Sequence, residues 1–327
     1  MDTSTHFVTG ISIAGLAHID PIIATNPSFA QLVLIGTLIG SQAPDFDGIS
    51  KFFGNASYIR NHRGINHSIP AILLWTTIIS LTIYLLFKPP YFYHLWVWVF
   101  ASVFFHVFLD VFNTYGTQAL RPFTAKWIAL NILNIFDPFI FITHSLGIIF
   151  WVLQWYKPST IFSSIYLITI LYFIWRSWTH YNIKNKLTIK YQLTKHITLL
   201  PTIYWSLWNI IEETDHSYRI GIVRKSQLEW IDIKTKQKLH PSILASKNDP
   251  KVKALLYFTK FAFPIYKQTA YGYEVRWIDL RYRFNNHYPF NTIVLLDDSL
   301  HIINSYIGWV YNEHFLHKKV QSLLKAK

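Results

Sequence analysis

Apolar runs and polar breaks alternate through the first half of the chain, and the rhythm changes near Ser177. Residues 7–24 and 29–43 are short apolar stretches rich in small residues, with Pro21 breaking the first. They predict a helical hairpin at the N-terminus. Residues 44–68 are polar. Ile69–Phe87 is an uncharged apolar run, and after the short link KPPYF a second run extends from Tyr91 to Val111. Residues 113–138 form another polar loop. Phe139–Tyr156 and Ile161–Trp175, the latter extensible through Trp178, complete a set of four runs near the roughly 20 residues that a membrane-crossing helix needs.

Beyond Ser177 the period becomes two. YEVRWIDLRYRF (273–284) alternates, QLEWIDIKTKQKL reads as a strand entering a turn, and NTIVLLDDSLHII reads as two strands about a DDS turn. Residues 312–327 have the pattern of a basic amphipathic helix. The fold expected is an α-helical integral membrane domain over 1–178, with about four spans and a short N-terminal hairpin. A small, mainly antiparallel β domain with a C-terminal helix follows over 179–327.

Charge sharpens this division. Residues 1–176 hold six acidic residues, all Asp, and eight Lys or Arg; the remaining residues hold the other eleven acidic and 22 basic ones. The net charge of +13 fits positive-inside topology and attraction to anionic lipid better than nucleic acid, which is not an expected partner. Lys51, Arg60, Arg63, Arg121 and Lys126 lie in the two polar loops, and Lys184, Lys186, Lys190 and Lys195 follow the last span. The opposite links carry Lys88 and Lys157. This bias puts the loops and the C-terminal domain in the cytoplasm, on a multi-pass protein of the plasma or inner membrane.

Chemistry collects on that same side. His106 and Asp110 end an apolar run, four apart, and therefore share one helix face. Ionisable residues inside an apolar helix are costly without partners. His6 precedes the first apolar stretch; Asp45 and Asp47 follow the second; His62 and His67 precede the Ile69 run; Asp137 precedes the Phe139 run. If the runs pair as hairpins, all eight emerge on one face. With no Cys in the chain, a metal here must take His and carboxylate ligands, which suits Zn²⁺, Mn²⁺ or Fe²⁺. Arg60 and Arg63 flank His62 and have the fork geometry for an anionic group. Each motif alone has an ordinary reading: PDFD as a capped turn, HRGINH as a basic interfacial loop, the His106–Asp110 pair as a bond between helices. Their convergence favours a metal centre. His18, His94, His144 and His180 read as packing or interfacial residues.

DTSTH, GSQAPDFD, YIRNHRGINHS, HVFLDVFNTYGTQALRPF and FDPF together resemble the inner-membrane metal-dependent hydrolases of the YdjM/YfhP type, over residues 1 to about 150. That family is related at a distance to zinc-dependent phospholipases C and zinc nucleases. The resemblance implies metal held by His6, Asp45, His62, His67, His106 and Asp110, with Asp47 and Asp137 nearby, and HVFLD carries Asp where the soluble relatives have Glu. The function expected is a membrane-bound hydrolase of a phosphoester, in a lipid or another membrane-adjacent substrate. One to three divalent ions, Zn²⁺ first, would activate water; Asp47 would serve as base or orienting carboxylate, and Arg63 would bind phosphate. Two rivals are a regulator or scaffold with a structural metal, and a transporter. The transporter would need its ionisable residues near the bilayer midplane rather than at the ends of the spans.

Overall fold

The computed structural model describes residues 1–325 apart from 194–195, 237–239 and 285–286. Lys195 and the end of the KTKQKL turn therefore lie outside the described residues, as do the last two residues of the expected C-terminal helix.

The N-terminal hairpin is present. It consists of α1 (Thr3–Leu16), the short α2 (Pro21–Thr25) and α3 (Pro27–Gly40). Asp2, Asp20 and Asn26 cap the three helices through their side chains, as short polar residues at N-caps do. Gly10 sets the crossing of α1 and α3: a Cβ there would lie 2.4 Å from Ser41 Oγ. The close approach holds the first turns of α1 against the segment that leads into the site.

The polar stretch expected as a loop over 44–68 is mostly helical. A 3₁₀ segment covers Ala43–Phe53, α4 covers Asn55–Asn61, and a single 3₁₀ turn spans Ile65–His67. Ser68 then caps α5 (Ile69–Phe87) by accepting from Ala71 N at 3.3 Å, and α6 (Phe92–Phe112) returns. After the 113–138 loop come α7 (Pro138–Val152) and α8 (Pro158–Lys190). Three of these helices, α5, α6 and α8, are long and apolar enough to cross a membrane. At 15 residues α7 is shorter than a full span, about 22 Å at 1.5 Å per residue, because Pro138 opens it and Leu153 closes it well before Tyr156. Leu73, Leu74, Leu85, Leu86, Leu171 and Ile174 are exposed on α5 and α8 and present the outward apolar faces that acyl chains cover.

The compositional break at Ser177 is not a structural break. The 33-residue α8 runs through the expected 178/179 boundary to Lys190. Its last turns bury Leu187 against Leu199, Trp208, Ile210 and Val223 of the first sheet. That sheet is the meander β1 (Ile197–Pro201), β2 (Leu207–Glu213), β3 (Ser217–Arg224) and β4 (Gln227–Thr235), all antiparallel. Two short helices follow, α9 (Pro241–Ser246) and α10 (Pro250–Phe258). A second antiparallel meander then forms from β5 (Ala262–Thr269), β6 (Gly272–Asp279), β7 (Phe290–Leu296) and β8 (Ile302–Trp309).

The second sheet is covered on both faces. Residues of α9 and α10 pack with Val275, Trp277 and Val294, while Leu316, Val320 and Leu323 of α11 (Glu313–Lys325) pack with Ile293 and Leu295. Every residue of β7 is buried, as a strand between two apolar layers must be. The membrane half and this sheet share an apolar cluster. Ile59, Tyr115 and Trp127 join Phe258, Phe290 and Trp309, and Arg281 Nη1 donates to Thr114 O at 3.0 Å.

Candidate metal centre

The centre is assembled from four separate segments at one end of the helices. α1 supplies His6, the Ala43–Phe53 segment Asp45 and Asp47, the turn before α5 His62 and His67, and the last two turns of α6 His106 and Asp110. His6, His67, His106 and Asp110 are almost wholly buried.

Four atoms define the core: Asp45 Oδ1, His67 Nε2, His106 Nε2 and Asp110 Oδ2. His67 Nε2 lies 3.4 Å from Asp45 Oδ1, 3.3 Å from Asp110 Oδ2 and 3.3 Å from His106 Nε2. His106 Nε2 lies 3.7 Å from Asp45 Oδ1 and 3.5 Å from Asp110 Oδ2. A tetrahedron around an ion with ligands at about 2.0–2.1 Å has edges of about 3.3–3.4 Å. Three of these distances fall in that range and the other two, at 3.5 and 3.7 Å, run slightly longer; one ligand atom from each of the four residues lies within 4.8 Å of the rest. Asp45 Oδ1 and Asp110 Oδ2 are buried without a hydrogen-bond partner, which is costly unless a cation takes that place. The donor set therefore fits a divalent ion.

Surrounding groups orient these ligands. His106 Nδ1 sits 2.6 Å from Ser41 O and donates to it, which leaves the Nε2 lone pair facing the cluster. Burial pushes His67 down to about 3, so its ring is neutral and able to ligate at pH 7. His6 stacks on His106 with ring centroids 3.6 Å apart and places Nε2 3.3 Å from Asp110 Oδ1.

A second grouping shares Asp45 and adds Asp47 and His62. Here the carboxylate binds the imidazole directly. Asp47 Oδ1 lies 2.7 Å from His62 Nδ1, and Asp47 Oδ2 accepts from Arg63 N at 2.8 Å while lying 3.7 Å from His67 Nδ1. Asp47 is therefore placed to orient two histidines.

Three expected residues sit in different surroundings. His6 belongs to neither grouping among the described residues and packs on the His106 ring instead. Asp137 belongs to neither grouping among the described residues. It caps α7, accepting from Phe139 N at 3.1 Å and Ile140 N at 3.3 Å, and it accepts from Tyr172 Oη at 2.8 Å. Arg63 is buried and its guanidinium is engaged: Nη1 donates to Asn113 Oδ1 at 3.2 Å, and Nη2 to Met1 O at 2.9 Å and to Asp110 Oδ1 at 3.1 Å. Arg60 lies in a separate groove with Arg121, so the two arginines flanking His62 do not converge on one anion.

Other members of the centre carry no pattern of their own in the sequence. The Met1 amine touches Asp110 Oδ1 and lies 2.9 Å from His6 Nε2, and Asn113 Nδ2 donates to Asp110 Oδ1 at 3.1 Å. The centre is sealed on the helix side. It opens through Asp45, whose side chain is 19% exposed against 0% for His67, His106 and Asp110, into a cleft of about 650 Å³.

The ligand-bearing segments lie within residues 1–183, which match the YdjM inner membrane protein family. The chain belongs to that family. Residues 241–320 match the YfhP C-terminal alpha/beta plait domain, the region of α9 to β8 and the start of α11. The chain is also 41% identical to the uncharacterized protein YfhP of Bacillus subtilis (strain 168), over 98% of this chain and 99% of that one. No solved structure matches it. Family membership and the three long apolar helices place the protein in the inner membrane.

Proposed function

We propose that the protein is a metal-dependent hydrolase of a phosphoester at the membrane surface. One observation carries this reading: the His/Asp cluster is closed by buried ligands on the helix side and open to a cleft through Asp45. Catalysis needs room for water beside the four ligands, and the exposed edge of Asp45 is the side on which the cleft would supply it. Zn²⁺, Mn²⁺ or Fe²⁺ bound there would supply an acidified water and a charge to stabilise a phosphoryl oxygen.

The chain's own groups divide the remaining work. Asp45, His67, His106 and Asp110 hold the ion. Asp47 fixes His62 through Nδ1, and His62 lines the cleft, where its Nε2 takes a proton from the attacking water and returns one to the leaving oxygen. Arg63 stabilises the buried Asp110 carboxylate from behind and so acts by positioning.

The test uses detergent-solubilised protein and a panel of phosphoesters that includes phospholipids and lipid-linked phosphates. Chelator-sensitive release of phosphate or headgroup, absent in Asp45→Asn, is the expected result. A metal-loaded protein inert on the whole panel would favour the regulator with a structural metal.

A further inference from the structure

The C-terminal domain is strongly basic, yet the part of it that borders the cleft carries no charge. On the membrane side the cleft is lined by Asp45, His62, Arg63 and Tyr58. On the other it is lined by Phe258 from α10, Phe290 from β7, and Tyr306 through Trp309 of β8. A domain with 22 basic residues in the last 151 would turn some of them toward a polyanion. Here it turns aromatic rings instead.

This wall is fixed. Phe290 and Trp309 pack with ring centroids 5.1 Å apart, and Tyr115 of the membrane half meets Phe258 at 5.6 Å within the same apolar cluster. Asn55 Nδ2, from the start of α4, donates to Ile307 O at 3.1 Å and pins β8 to the segment beside Asp45. Gly308 has φ +153°, and a Cβ there would lie 2.6 Å from Tyr306 Oη, so only glycine lets that ring lie across the strand. At the rim, the exposed Lys51 holds its Nζ 4.4 Å from the centre of the Tyr58 ring and is a cation of the cleft that makes no ion pair among the described residues.

We infer that the C-terminal domain is the selectivity wall of the site: Trp309, backed by Phe290, binds a flat, apolar organic group carried by the phosphoester, while Lys51 holds an anionic oxygen of the same molecule. A cleft of about 650 Å³ is within the usual range for a small organic ligand. The inference rests on the hydrolase reading given above, since it takes the phosphoester from there and adds the class of its organic part.

The experiment measures binding of phenylphosphonate and methylphosphonate, neither of which carries a hydrolysable ester, to metal-loaded full-length protein in detergent. Stacking on an aromatic wall is expected to make phenylphosphonate bind about tenfold more tightly. In Trp309→Ala that preference should fall to near parity, and in Trp309→Phe most of it should remain. Trp309→Leu, which keeps an apolar side chain but no stacking face, provides a second variant should Trp309→Ala lose metal or melt early. Lys51→Gln should weaken both probes alike. Equal affinity for the two probes in the unmodified protein would overturn the wall and leave the hydrolase standing, as would a preference that survives in both Trp309→Ala and Trp309→Leu. If neither phosphonate binds, or if binding is indifferent to Asp45→Asn, the hydrolase reading fails and the wall fails with it.

Discussion

His67 and His106 stand 39 residues apart in the chain and bring their Nε2 atoms to 3.3 Å. Because the Nδ1 of His106 donates to Ser41 O, its Nε2 carries a lone pair, and a cation shared with His67 Nε2 and the two buried carboxylate oxygens would satisfy all of them at once. Purified protein is expected to contain a stoichiometric transition metal, and His106→Ala should lose it. Elemental analysis after removal of excess metal decides this; full retention in the His106→Ala, Asp110→Ala double variant would remove the centre from consideration.

Asp45→Asn keeps the shape of the side chain and removes the charge a divalent ion needs. Turnover is expected to fall more than about 100-fold, beyond the 10–100-fold typical of losing a group behind the ligands. The variant should still accumulate in the membrane, since Asp45 is the partly exposed member of the cluster and contributes little to helix packing. A variant that instead disappears from the membrane fraction would point to a structural role.

Asp47 tests the orienting layer. With Asp47→Asn the 2.7 Å contact to His62 loses its charge, and activity should fall about 10–100-fold while the metal content stays near that of the unmodified protein. Loss of metal in step with activity would make Asp47 a ligand instead.

Asp137 provides the contrasting case. Asp137→Ala removes a helix cap and leaves Tyr172 Oη without its partner, at a cost of about 1–3 kcal/mol. The melting temperature should drop with metal content unchanged; metal loss from a folded Asp137→Ala protein would return this residue to the centre.

The residues of the centre also show where the sequence is informative. His106 and Asp110 were legible because an apolar helix carries few ionisable groups, and a pair at i, i+4 shares a face. Asp45, His62 and His67 were legible because alternating runs and loops gather on one side. Asp137 was ambiguous at sequence level: an Asp followed by Pro at the head of an apolar run is both a helix cap and a ligand candidate, and only the Tyr172 contact separates them. Arg63 misled by sitting beside His62 in the chain, whereas its guanidinium turns inward to Asp110. The end of the membrane domain was hidden because composition changes at Ser177 while the helix continues to Lys190. The cleft wall had no sequence signal, since Phe290 and Trp309 pattern as ordinary strand residues.

The Lys/Arg bias of the polar loops predicts that they face the cytoplasm. A single cysteine at Gly54, on the exposed segment before α4, should resist impermeant thiol reagents applied to intact cells and react after lysis. The absence of native Cys makes the readout unambiguous. Labelling from outside would reverse the topology.

The order in which the ligands appear along the chain has a consequence for biogenesis. His6 leaves the ribosome early, but its neighbours are complete only when Asp110 at the end of α6 has been made, and α7 and α8 contribute none of the four core atoms. During insertion the hairpin of α1 and α3 must therefore wait, with its histidine unpartnered, until α5 and α6 have entered beside it. A metal could be captured by the four core residues only after α6 is made, yet before α7 and α8 are in place and well before either sheet is synthesised.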